Sequence, residues 1–145
     1  MKPRLSKAAS QLREQVDDSF PDRSRLSDGW IADARHLRAG KSDHIPDANG
    51  WVRAIDVDRD VSGKSKPDLM PDIADQIRLL CKSKREKRIT YIIFDGRIAS
   101  PKKGWAWREY TGANKHNHHC HISFSQEADD DGSFFQVPML GAAHE

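Results

Sequence analysis

The chain has 145 residues, enough for one domain with a single modest hydrophobic core. Its mean hydropathy of −0.80 is typical of a soluble protein, and no stretch approaches the roughly 20 consecutive apolar residues that span a bilayer. The 24 basic and 22 acidic residues give a net charge of +2, which by itself does not indicate a nucleic-acid-binding protein. We therefore expect a soluble single domain whose partners include neither a membrane nor a nucleic acid.

The amino-terminal part of the chain is predicted to contain two helices. Apolar residues recur on one stripe over about residues 4–18, which indicates an amphipathic helix that ends before Pro21. The stretch "DGWIADARHLR" favours a second short helix over about residues 28–38, with Asp28 as a possible N-cap. Because the first segment has no continuous apolar run, no Sec-type signal peptide is visible.

A strand is predicted next, over residues 51–58. The sequence "WVRAIDVD" is rich in β-branched residues and alternates, so Ile55 and Val57 would lie on one face of the strand and Asp56 on the other.

A helix and a hairpin follow this strand. The stretch "PDLMPDIADQIRLLCKSKRE" has apolar residues at helical spacing, Pro71 in the first turn and basic residues in the last turn. In "RITYIIFDGRIAS", the pair Asp95-Gly96 predicts a tight turn between strands over residues 89–94 and 97–100.

The last predicted strand carries histidines. Residues 114–124, "NKHNHHCHISF", place four of the chain's seven histidines within six positions. Since successive strand side chains point to opposite faces, the apolar residues of this segment would face the core together with His118. His119 and His121 would share the opposite face, where they could belong to one site or simply be surface histidines.

The remaining features concern the chain's end and its cysteines. Residues 127–145, which include "EADDDG", are expected to form a mobile C-terminal extension, so that the single domain comprises residues 1–126. Cys81 and Cys120 lie in different predicted elements and form no CxxC pair, which favours a reducing compartment over a disulfide scaffold.

Four residues around two of the predicted strands are of the types that zinc binds. His44 precedes the first of these strands, Asp56 lies within it, and His119 and His121 lie on the last strand. Catalytic zinc sites commonly have three protein ligands, nitrogen or oxygen donors among them, and a water. Two histidines and one aspartate would satisfy this rule, although His44 and Asp56 could equally be a loop residue and a strand-edge carboxylate.

Four segments in order resemble a known group of enzymes. The segments "SDGWIADARH", "SDHIPDANGWVRAIDVD", "RITYIIFDGRIAS" and "WREYTGANKHNHHCHIS", over about residues 24–124, are similar to phage and bacterial proteins related to D-alanyl-D-alanine carboxypeptidases. These belong with the lysostaphin-type murein peptidases, and the resemblance is to an endolysin-like branch. It implies an α+β fold in which a small antiparallel β-sheet, flanked by helices, carries one Zn²⁺ ion. The implied activity is hydrolysis of an amide bond in the stem peptide or cross-link of peptidoglycan, as a carboxypeptidase or an endopeptidase.

The resemblance assigns zinc binding to His44, Asp56 and His121, and a catalytic role beside the zinc to His119. The chain departs from the commoner family pattern in two ways. Eleven residues separate His44 from Asp56, a longer spacing than in the better-known carboxypeptidases, and the position three before His121 is His118 where a glutamate is usual. Because strand parity turns His118 toward the core, we prefer His119 as the base and keep His118 as the alternative.

Three further residues are candidates for substrate contacts. Arg53, Arg108 and Tyr110 could serve an oxyanion or a substrate carboxylate, which need a cationic or hydrogen-bonding partner, or they could be solvated surface. Three histidines receive no role from their spacing: His36, His116 and His144.

The resemblance also implies synthesis in a host cytoplasm and action in the cell wall or periplasm, with phage virion proteins as further partners to consider. Two other classes of protein stay open as alternatives. A metal-dependent nuclease is suggested by the histidines and by the basic run after the long helix. A non-catalytic structural protein of a phage particle could keep the fold without the chemistry.

Overall fold

The computed structural model describes residues 2–31 and 42–142 of the chain. Within these ranges the helices are α1 (Lys7–Ser19) and α2 (Met70–Lys82), and the strands are β1 (Arg4–Leu5), β2 (Trp51–Val52), β3 (Ala54–Asp58), β4 (Ile89–Phe94), β5 (Arg97–Ala99), β6 (Arg108–Glu109) and β7 (His119–Phe124). Neither described helix combines the length and the apolar character that crossing a membrane requires.

Five of the strands form one antiparallel sheet in the order β3-β7-β4-β5-β6. β7 therefore lies between β3 and β4, while β1 and β2 form a separate parallel pair. The structure confirms the predicted α+β class with a small antiparallel sheet.

One face of this sheet packs into the hydrophobic core with both helices. On β7 the core residues are Cys120, Ile122 and Phe124, each no more than 3% exposed, and on β3 they are Ile55 and Val57. The helices add apolar side chains to the same cluster: Ala8, Ala9, Leu12 and Val16 from α1, and Met70, Ile73, Ala74, Ile77, Leu80 and Cys81 from α2. The predicted alternation of β3 and β7 is thus confirmed for their apolar residues.

The predicted helix, strand and turn in these segments are present, with small differences in their bounds. α1 begins at Lys7, because residues 4–5 form β1. The strand predicted over residues 51–58 is divided at Arg53 into β2 and β3. The predicted hairpin turn is present, and both of its residues adopt left-handed backbone angles, with φ 54° at Asp95 and 78° at Gly96. Those angles suit a two-residue turn whose twist matches the flanking strands.

Most of the second predicted helix lies outside the described residues. Its described part, residues 28–31, is not helical, since Gly29 forms an isolated β-bridge with Asp56. The Asp28 carboxylate accepts hydrogen bonds from the Arg23 guanidinium, at 2.8 and 2.6 Å, and from the backbone N–H of Asp58 at 2.7 Å.

Two histidines also lie outside the described residues: His36 and His144.

The segment after β7, expected to be an extension, packs onto the helices over residues 127–142. Phe135, Val137 and Leu140 are at most 1% exposed and belong to the core. Gln15 of α1 anchors them, because its amide donates to the carbonyls of Phe135 and Leu140, both at 2.9 Å, and accepts the N–H of Phe135 at 2.8 Å. The expected boundary before this segment would therefore cut through one hydrophobic core.

Candidate metal centre

The three predicted ligands meet on the face of the sheet opposite the helices. Asp56 of β3 and His121 of β7 are directly opposite each other in the strand register, so their side chains point to the same face. His44 reaches them from the loop before β2. One potential donor atom from each residue lies within 4.8 Å of those of the other two, so the cluster could hold a metal ion.

The two imidazoles flank a single carboxylate. His44 Nε2 is 3.2 Å from Asp56 Oδ2, and His121 Nδ1 is 3.0 Å from Asp56 Oδ1. The three side chains are at most 15% exposed. Burial opposes ionisation of Asp56, but hydrogen bonds and charge interactions with His121 and His44 prevail and hold its pKa well below the usual range. The site therefore contains a half-buried, ionised carboxylate between two imidazoles.

In each imidazole, the ring nitrogen that points away from Asp56 also has a hydrogen-bond partner. His44 Nδ1 lies 3.0 Å from the backbone carbonyl oxygen of Trp30, to which it can only donate. His121 Nε2 lies 2.7 Å from the hydroxyl of Ser123. The Trp30 carbonyl fixes both the tautomer and the orientation of the His44 ring, whereas the Ser123 hydroxyl, which can donate or accept, fixes only the orientation of the His121 ring. They leave His44 Nε2 and His121 Nδ1 as the nitrogens that face the carboxylate.

His119 lies on the same face, beside the three-residue cluster. Its Nε2 is 3.7 Å from Asp56 Oδ1, and its side chain is 17% exposed. Burial lowers its pKa, although Asp56 acts in the opposite direction. His118 has a different environment from the one expected. It does not face the core but is exposed, because it precedes the first residue of β7, so the strand's alternation does not set its direction.

His116, to which its spacing assigned no role, also lies at this site. The His116 ring contacts those of His119 and His121 edge to face, with centroid separations of 5.0 and 5.5 Å. Burial lowers its pKa to about 4, and the nearby His121 and His119 act in the same direction. The histidine run was a signal for this residue, but His116 precedes the strand, so the two-residue periodicity did not place it.

The hairpin turn positions the His116 loop. The backbone N–H groups of Asp95 and Gly96 donate to the carbonyls of His116 and Lys115, at 3.0 and 2.8 Å. The N–H of Tyr110 donates to the Gly96 carbonyl at 2.9 Å. A turn at one end of the sheet thereby brings a loop histidine against two strand histidines.

Tyr91 is a second residue that sequence reasoning missed. Its ring stacks on His121 with a centroid separation of 5.4 Å, and its hydroxyl donates to Asp43 Oδ2 at 2.7 Å. Regular alternation would place it on the same face as Ile89, which is in the core. An irregularity between these two residues shifts the register, so that Ile89 pairs with Phe124 but Tyr91 pairs with Ser123.

The predicted substrate-contact residues are dispersed. Arg53 forms ion pairs with Asp47 and Asp129, at 2.6 and 2.7 Å. Arg108 is on β6, four strands from β3, and donates to the Ser100 hydroxyl and the Lys102 carbonyl. Only Tyr110 of the three contacts a histidine of the site, with its ring 5.7 Å from that of His116.

The fold and the site together define an α+β protein with a candidate metal centre on its sheet. Comparison of the chain with models of protein families, with curated proteins and with solved structures finds no match.

Proposed function

We propose that the chain is a zinc-dependent peptidase that hydrolyses an amide bond in the stem peptide or cross-link of peptidoglycan. The observation that carries this proposal is the convergence of His44, Asp56 and His121 on one sheet face. Two imidazoles and a carboxylate form a ligand set found in catalytic zinc sites, which keep a further position for water or substrate. The same three residues are the ones to which the resemblance to murein peptidases assigns zinc binding.

The donor atoms are of the types that zinc binds, and the two rings that carry the nitrogen donors are held in place by neighbouring groups. His44 Nε2, His121 Nδ1 and the Asp56 carboxylate would hold the ion, and the Trp30 carbonyl and the Ser123 hydroxyl would keep both rings oriented. When bound, zinc supplies a Lewis acid that polarises a carbonyl group and lowers the pKa of a water.

His119 supplies the proton transfer that the hydrolysis needs. Its Nε2 accepts a proton from the attacking water as the water oxygen bonds to the carbonyl carbon. The carbon–nitrogen bond then breaks, and the same Nε2 returns the proton to the leaving amine. His119 suits this role because it lies beside the three ligands on the same sheet face, while Nε2 has no hydrogen-bond partner among the described residues.

The position of the basic run favours a peptidase over a nuclease. Lys82, Lys84, Arg85 and Lys87 are exposed at the carboxyl end of α2, a helix that packs on the opposite face of the sheet from the three ligands. A nuclease needs cations beside its metal to bind the phosphate backbone.

Purified protein should release peptide fragments from peptidoglycan in the presence of zinc and stop doing so when a chelator is added. Mass spectrometry of the fragments would identify the bond that is cut. Plasmid DNA, incubated in parallel, should stay intact. Chelator-sensitive DNA cleavage without peptidoglycan hydrolysis would establish the nuclease instead, and inactivity on both substrates would favour a non-catalytic phage protein.

The base is tested by His119→Ala, with the adjacent exposed residue as a matched control in His118→Ala. We expect His119→Ala to stay folded, keep zinc and lose hydrolysis by about 100-fold to 10,000-fold, the usual contribution of a general base. His118→Ala should keep nearly the full rate. The reverse ranking of the two variants would assign the base to His118.

A further inference from the structure

Two imidazole nitrogens at the metal centre are buried and lack a hydrogen-bond partner among the described residues. They are Nε2 of His119 and Nδ1 of His116. Buried polar atoms in folded proteins are nearly always hydrogen-bonded to the protein, to ordered water or to a ligand. Each of these nitrogens therefore calls for a hydrogen-bond partner that the described residues do not supply.

Neither nitrogen belongs to the three-donor cluster, but both lie at its edge. His119 Nε2 is 3.7 Å from the Asp56 carboxylate, whose two oxygens already contact His44 and His121. The His116 ring in turn contacts both His119 and His121. The rings that carry the two nitrogens are therefore in contact with each other, and each contacts a residue of the cluster.

We propose that His116 Nδ1 accepts one hydrogen bond from the attacking water, while His119 Nε2 accepts the other. A water molecule has two hydrogens to donate, and each of these two nitrogens accepts a hydrogen bond when its ring is neutral and carries the proton on the other nitrogen. With both hydrogens held, an oxygen lone pair is left to attack the substrate carbonyl. His119 then removes the proton, and His116 orients the water without itself changing charge. This role rests on the proposed hydrolytic function.

The backbone at His116 supports a functional placement of its ring. Its φ of 56° lies in the left-handed region, which residues with a β-carbon seldom occupy. Two hydrogen bonds hold this conformation: the His116 N–H donates to Asn114 Oδ1, and the carbonyl accepts the N–H of Asp95, both at 3.0 Å. Backbone strain that surrounding contacts maintain is concentrated at functional sites.

Two substitutions separate the acceptor from the backbone strain. Glycine and asparagine both tolerate a positive φ, but only asparagine keeps an acceptor oxygen near the position of Nδ1. We expect His116→Gly to keep full zinc content and to lose hydrolysis by about 100-fold. His116→Asn should recover on the order of tenfold of that loss. A wild-type rate in His116→Gly, or loss of zinc from it, would overturn the proposal.

A second readout does not depend on activity. Long-range ¹H–¹⁵N spectra of histidine-labelled, zinc-loaded protein report which nitrogen of each ring carries a proton and which binds metal. We expect His116 to carry its proton on Nε2, with Nδ1 neither protonated nor bound to zinc. A proton or a metal ion on Nδ1 would refute the proposed role. If the wild-type protein hydrolysed no peptidoglycan, the proposed function would fail, while these spectra would still decide the placement of His116.

Discussion

The two faces of the central sheet are stabilised by different interactions. Toward the helices β7 presents Cys120, Ile122 and Phe124, which need only close apolar contact. Toward the other side the same strand presents His121 and Ser123, which are 5% and 0% exposed. A buried polar side chain is costly unless its polar atoms find partners. The stability of the helix-facing side therefore depends on the volume of its side chains, and that of the other side depends on the geometry of its hydrogen bonds.

Because of this difference, one face of β7 contributes mainly to the stability of the fold and the other to the chemistry of the site. Apolar packing is non-directional and tolerates exchange between side chains of similar volume. The hydrogen bonds of His44 and His121 to the Trp30 carbonyl and the Ser123 hydroxyl select one nitrogen of each ring to face the carboxylate. We therefore expect substitutions on the helix-facing side mainly to lower the free energy of unfolding, and substitutions on the other side mainly to change metal binding and reactivity.

The largest effect on folding is expected from Phe94→Ala. Phe94 is 1% exposed and lies in the core, so its truncation should lower the free energy of unfolding by about 3–5 kcal/mol. Urea denaturation would measure the loss, and elemental analysis should still find zinc in the folded protein. Phe134, which is 43% exposed, offers the matched control, with less than about 1 kcal/mol expected for Phe134→Ala. Equal losses in the two variants would be inconsistent with the packing described.

The second prediction concerns how the free energy of unfolding of the metal-free protein depends on pH. Burial and the neighbouring imidazoles lower the pKa of His116 to about 4, so between about pH 6.5 and pH 4 the unfolded chain binds a proton there that the folded chain does not. This residue's contribution to stability is thus fully present above about pH 6.5 and is lost as the pH falls to about 4. Over that range the free energy of unfolding should fall more steeply in the wild type than in His116→Asn.

Other groups at the site titrate as well, so the comparison with His116→Asn is needed to isolate one residue. Burial opposes protonation of His44, but Asp56 prevails and raises its pKa, which gives a pH dependence of opposite sign. Phe94→Ala should have the same pH slope as the wild type, because it changes only the helix-facing side. Urea denaturation at several pH values would measure all three slopes, and equal slopes in wild type and His116→Asn would contradict the assignment.

The smallest effect is expected from Tyr91→Phe. This change keeps the ring that stacks on His121 and removes only the hydroxyl that donates to Asp43 at 2.7 Å. One lost hydrogen bond should lower the free energy of unfolding by about 1 kcal/mol. Because Asp43 precedes His44, zinc affinity should also weaken, by about tenfold or less, in a calorimetric titration. An unchanged affinity would show that this contact does not help to position the His44 loop.

The elements that could be predicted from the sequence have local signals. The spacing of apolar residues predicted α2, the Asp95-Gly96 pair predicted the hairpin turn, and the alternation in β7 predicted that His119 and His121 share a face. The meeting of His44 and Asp56 with His121 was predicted from residue types and from the family resemblance, since no local rule brings a loop residue to a distant strand.

The parts that were missed depend on contacts between distant segments. His116 reaches the site because its loop is hydrogen-bonded to the hairpin turn, and Tyr91 because a register shift in β4 reverses its face. Phe135 and Leu140 were assigned to a mobile extension, although Gln15 ties them to α1. None of these contacts follows from the periodicity of a single element.

The zinc content of three ligand variants tests the proposed metal centre most directly. We expect the wild-type protein to bind a single zinc ion, and His44→Ala, Asp56→Ala and His121→Ala each to lose stoichiometric zinc and hydrolysis together. His118→Ala is the control that should retain both, and circular dichroism should show that all four variants are folded. Full zinc occupancy in the three ligand variants, measured by elemental analysis, would contradict the ligand assignment.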